Sequence, residues 1–121
     1  MLKKLLDDNL FFNENLLQDG IKLIEAGEDV NTVSKHGDTL IFKAISLNNL
    51  KAVEFLIKKG IDLKFLNAKD QTLLHYACHR SSTDIVNLLL IKGADPFLQN
   101  SKGELPIILA LSNNKFENAK I

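Results

Sequence analysis

The sequence is poor in the features that usually betray the chemistry of a small protein. It holds one cysteine, Cys78, which excludes an internal disulfide framework and a four-cysteine zinc site. It lacks an excess of charge: fifteen basic residues balance fifteen acidic ones. Bulk neutralisation of phosphates therefore cannot hold a nucleic acid, and only a local patch could attract one. No apolar run approaches the roughly 18 residues of a membrane-spanning helix. The first residues start like a secretory signal, but Asp7 and Asp8 break the apolar stretch and no small-residue cleavage site follows. Also missing are a phosphate-cradling glycine loop, a His-Glu-x-x-His pair, a nucleophile elbow and paired metal-binding cysteines. The expectation is a cytoplasmic protein without a cofactor, whose partner is neither a membrane nor a nucleic acid.

What is present is a repeat. The chain has 121 residues and 13.5 kDa, enough for one domain with a modest core, and its 45% hydrophobic and 25% charged residues are those of a globular protein. Gly27, Gly60 and Gly93 are spaced by 33 residues. Around them recur Gly27-Glu28-Asp29, Gly60-Ile61-Asp62 and Gly93-Ala94-Asp95, preceded by Leu23-Ile24, Leu56-Ile57 and Leu89-Leu90. Thr39, Thr72 and Leu105 keep the same spacing and open Thr39-Leu40-Ile41-Phe42-Lys43-Ala44, Thr72-Leu73-Leu74-His75-Tyr76-Ala77 and Leu105-Pro106-Ile107-Ile108-Leu109-Ala110.

Each unit has a physical reading. Thr72 can start a helix through its hydroxyl. The helix that follows carries Leu73, Leu74, Tyr76, Ala77 and Cys78 and is apolar over most of its circumference, so it needs cover on two sides. The polar residues Ser81, Ser82, Thr83 and Asp84 break it and cap a second helix over residues 85–91, with Ile85, Val86, Leu89 and Leu90 as its apolar stripe. Lys92 suits the last turn, and Gly93 ends the helix by taking the left-handed conformation. A long extended connection leads to the next pair.

Helix, turn, helix and extended loop at this period resemble the ankyrin repeat, and Thr72-Leu73-Leu74-His75-Tyr76-Ala77 differs from the family's Thr-Pro-Leu-His-x-Ala only at Leu73. The resemblance implies an all-α solenoid of stacked helix-turn-helix units with hairpin-like loops. It divides one domain, 1–121, into a degenerate N-terminal capping repeat (1–34), two repeats (35–67 and 68–100) and a truncated C-terminal repeat (101–121). In the family the histidine bonds the opening threonine and the neighbouring loop backbone. Phe42 and Ile108 replace it in the flanking copies, so most of that network is expected to be missing. Asp70 stands where Gly37 and Gly103 supply a turn. The first copy lacks the motif near Leu6 and instead offers an amphipathic helix with Leu2, Leu5, Leu6 and Leu10 on one face. The last copy stops at Ile121, partway through a second helix expected to start near Lys115, which suggests an apolar edge around Ile108 and Leu111 that docks a partner, pairs with itself or is closed by Phe116.

The cluster His75, Cys78 and His79 is the one candidate for metal binding or enzymatic chemistry, and it lacks a fourth ligand. By alignment His75 is structural and Cys78 falls with Ile45 and Leu111 in the core, where a thiol has no reason to ionise. The resemblance points instead to a non-enzymatic protein-binding module, such as a small inhibitor or an immunity or antitoxin-type protein. Its partner-binding positions, the loop tips and concave helix ends, map onto Val33, Lys35, His36, Asp38, Leu47, Leu66, Lys69, Gln71, His79, Arg80, Lys102 and Glu104. His36, Lys69 and Lys102 are equivalent and form a basic row that Lys35 and Arg80 extend, suited to an acidic patch on another protein. A solvated face explains the lysines equally well, and loop-to-loop packing explains Val33, Leu47 and Leu66.

Overall fold

Asparagine begins two of the helices. The Asn13 side chain accepts from the Leu16 N–H at 3.0 Å, and Asn49 accepts from the Ala52 N–H at 3.0 Å. Each cap is worth about 1 kcal/mol against alanine. The computed structural model describes residues 1–9, 13–66, 71–80 and 83–106, without the side chains of His79 and Arg80. Within these residues lie six helices and no strand: α1 (Leu2–Asp8), α2 (Glu14–Glu25), α3 (Leu40–Ser46), α4 (Leu50–Lys58), α5 (Leu73–Arg80) and α6 (Thr83–Ile91). No helix among them is long and apolar enough to cross a membrane. The chain forms two compact units, Met1–Asp62 and Leu63–Ile121.

In the first unit α1 packs on α2, α2 on α3, and α3 on α4. Leu2, Leu6, Leu17, Ile24, Leu40, Ile45, Val53 and Leu56 are buried there. The leading amphipathic helix is present, with Leu2 and Leu6 inside and Leu5 half-buried, while Leu10 lies outside the described residues. At Gly20 the α2 backbone runs hard against α3: a Cβ there would meet both Leu40 methyls at 2.8 Å. The two helices approach this closely because the side chain is missing.

Helix ends follow the repeat. Gly27, Gly60 and Gly93 have φ of 109°, 95° and 104°. Behind Gly27 the Glu28 N–H donates to the Leu23 carbonyl, and behind Gly93 the Ala94 N–H donates to that of Leu89. With the Gly27 and Gly93 N–H groups donating to the Ile24 and Leu90 carbonyls, each end has the pair of hydrogen bonds that satisfies the last carbonyls of a helix. Asn48, at φ 55°, performs the same turn between α3 and α4, with the Asn49 N–H reaching the Ala44 carbonyl at 3.1 Å.

In the second unit α5 packs on α6, burying Leu73, Leu74, Ala77, Cys78, Ile85, Val86 and Leu89. Helix α6 starts at Thr83, two residues before the sequence pattern places it, because Thr83 and Asp84 suit a first helical turn as well as a cap. Of the expected C-terminal edge, residues 107–121 lie outside the described residues, as does Asp70.

Candidate functional site

Two of the loops after helix pairs, at 34–38 and 100–104, are locked from within. Residues 34–38 close through the Ser34 N–H donating to the Asp38 carbonyl at 2.8 Å, with Gly37 at φ 82°. The Ser34 hydroxyl accepts from the N–H groups of His36 at 3.1 Å and Asp38 at 3.2 Å. The loop at 100–104 repeats this design: the Asn100 N–H donates to the Glu104 carbonyl at 3.0 Å, and Gly103 has φ 75°. Here the Asn100 side-chain oxygen accepts from the N–H groups of Lys102 and Glu104, each at 3.0 Å. Serine in one copy and asparagine in the other supply the same acceptor at the same place.

A second tie holds the first loop. The Asp7 carboxylate on α1 accepts from the Lys3 ammonium at 2.6 Å and from the Lys35 N–H at 2.6 Å. The Lys3 side chain first, and the Lys35 amide after it, hold the Asp7 carboxyl below the usual carboxylate range. The loop tip is thus fastened to the leading helix by its backbone, and its side chains are left to solvent.

Lys35, His36 and Lys102 are exposed, and no described residue hydrogen-bonds or ion-pairs with their side chains. Val33 is exposed, and Leu66 is 47% exposed. Leu47 is half-buried at the end of α3. The acidic positions turn inward instead: Asp38 lies 3.5 Å from the Lys43 ammonium, and Glu104 accepts from the Asn100 amide at 3.0 Å. Gln71 is half-buried and engaged with another group. Lys69 and the side chains of His79 and Arg80 lie outside the described residues. Lys35 and His36 belong to the first unit, Leu66 and Lys102 to the second.

His75 is fully buried and occupied at both ring nitrogens. Nδ1 lies 2.7 Å from the Thr72 hydroxyl, and Nε2 lies 2.8 Å from the Glu104 carbonyl oxygen. The carbonyl can only accept, so the Nε2 hydrogen donates to it and Nδ1 accepts from Thr72. The Thr72 oxygen also caps α5, accepting from the His75 N–H at 3.2 Å. Thr39, in the copy with Phe42, makes no side-chain cap. The threonine–histidine network thus survives in one unit, tying the loop at 100–104 to α5. Burial pushes the Cys78 thiol up to about 11, which keeps it protonated and a poor nucleophile or ligand at neutral pH. Among the described residues no three histidine, cysteine, aspartate or glutamate side chains are placed to hold a metal ion.

Two apolar features were not legible from the repeat. Ile91 and Phe97, at the end of α6 and in the loop beyond it, are 79% and 77% exposed. Their counterparts one period earlier, Lys58 and Lys64, are charged, a contrast the alignment does contain. The other is a groove of about 480 Å³ between α1 and α2, lined in part by Met1, Leu5 and Leu23. Helix α1, which forms one wall, lies outside the repeat match.

Helix pairs ended by left-handed glycines 33 residues apart, with self-locked loops at 34–38 and 100–104, define an all-α repeat protein. The chain belongs to the ankyrin-repeat family: the family model for three copies of the ankyrin repeat matches residues 13–100. The match begins at Asn13, the cap of α2, and leaves α1 outside it. Ankyrin repeats are in general modules for protein–protein interaction. No curated protein matches the chain.

Proposed function

We propose that the chain is a non-enzymatic module that binds an acidic surface of another protein through its loop tips and concave helix ends. The observation that carries this reading is the first loop tip. Its backbone is fixed by Ser34 and Asp7, while Lys35 and His36 point their side chains into solvent beside exposed Val33. A preformed cationic tip binds without first ordering itself, and its charge acts mainly on the rate of encounter. Lys102, on the internally locked loop at 100–104, carries the same chemistry, and Lys69 joins it by its place in the repeat. An inhibitor of the immunity or antitoxin type is one use to which such a binding module is suited. Docking or self-pairing through the edge around Ile108 and Leu111 rests on the sequence pattern.

The test is kinetic. A partner captured with the tagged chain should associate several-fold more slowly with Lys35→Glu plus Lys102→Glu at low salt, and the difference should fade as salt rises. An unchanged association rate at low salt would remove the basic tips from the binding site.

A further inference from the structure

The groove between α1 and α2 has an apolar floor and a patterned rim. Leu5 and Leu23 are half-buried in it, and the Met1 side chain lies exposed along it. On the α1 side the rim charges satisfy each other, with the Lys4 ammonium 2.7 Å from the Asp8 carboxylate. On the α2 side they do not. Asp19 and Lys22 are exposed, and neither side chain has a hydrogen-bond or ion-pair partner among the described residues. They stand three residues apart, neighbours about 5–6 Å apart on the helix surface.

Opposite charges one turn apart beside an apolar floor are self-complementary. A wholly acidic or wholly basic partner satisfies one of the two and repels the other. A second α2 laid antiparallel across the first, with the two-fold axis between positions 19 and 22, satisfies both charges in each copy. Asp19 of each copy then faces Lys22 of its mate, and the floors around Leu5 and Leu23 close on each other. We infer that the α1–α2 groove is a two-fold interface between two copies of this chain.

Sedimentation equilibrium over a concentration series tests it. The wild-type chain should show a mass rising from monomer to dimer. Asp19→Lys and Lys22→Asp should each shift that transition to at least about tenfold higher concentration, because a two-fold interface contains every substitution twice and sets like charges together. The exchanged variant Asp19→Lys/Lys22→Asp should restore the wild-type transition. Thermal melts followed by circular dichroism establish that each variant is folded. A monomeric mass at every concentration overturns the inference. So does a dimer indifferent to the single reversals, including one broken instead by Leu111→Lys. A folded exchanged variant that fails to recover association overturns it as well.

Discussion

Replacing Gly20 by alanine sets two opposed effects against each other at one atom. Alanine favours the middle of a helix over glycine by about 1 kcal/mol. The new Cβ would lie 2.8 Å from both Leu40 methyls, well inside van der Waals contact, and Leu40 is fully buried with no solvent side to turn to. Overfilling a packed site of this kind costs about 1–3 kcal/mol. The sum is a protein less stable by up to about 2 kcal/mol. Leu40→Ala removes the obstructing methyls, at its own cost of about 2–5 kcal/mol. In that background Gly20→Ala should stabilise by the full propensity, about 1 kcal/mol. Urea melts of the four proteins give the coupling energy, expected at about 1–3 kcal/mol. Additive effects, or a Gly20→Ala single variant more stable than wild type by the whole propensity gain, would refute the close approach of α2 to α3.

Three further outcomes follow from the same geometry. His75→Phe should stay folded, since Phe42 is buried at the equivalent place, and should lose about 1–3 kcal/mol in a urea melt because the buried Thr72 hydroxyl loses its acceptor and the Glu104 carbonyl keeps only the Asn100 N–H. The depressed Asp7 carboxyl gives stability that is present above its unfolded value near 3.8 and is lost as pH falls through its lower folded value. A pH series of melting temperatures should therefore show wild type above Asp7→Asn at neutral pH, with the two converging in acid. Cys78 should resist alkylation at pH 8 in the native chain and react at once in denaturant, and zinc analysis of the purified protein should find no stoichiometric metal.

The architecture was legible wherever a residue type has one conformational use. Glycines in register announced left-handed helix ends, and Thr72 with His75 announced a capped helix bound to the next loop. The sequence also indicated which copies would lack that network: Thr39, without a histidine three residues on, makes no side-chain cap. Contacts made by unlike residues were harder to read. Ser34 and Asn100 do the same work with different side chains, so identity hides the equivalence of the two locks. Asp38 and Glu104 lie at loop tips in the alignment, yet their carboxylates are engaged with Lys43 and Asn100. Gly20 stands where the later copies have Val53 and Val86, so the repeat pattern gave no hint of the tight crossing at Leu40. The α1–α2 groove was hidden for a related reason: its charges and apolar residues come from two helices of the copy that diverges most.

The turn between α3 and α4 limits how this sequence can change length. Asn49 gives its N–H to close the end of α3 while its side-chain oxygen opens α4, and Asn48 beside it supplies the left-handed bend. One helix stops and the next starts on the same residue, so the hairpin has no slack. Inserting or deleting a residue between 47 and 50 would break both termini together and rotate the apolar face of α4 by about 100° away from α3. The tips at 35–36 and 101–102 carry no such double duty. Length variation among variants of this chain should therefore collect at the tips, where an added residue changes what the loop presents and leaves the helix pair intact.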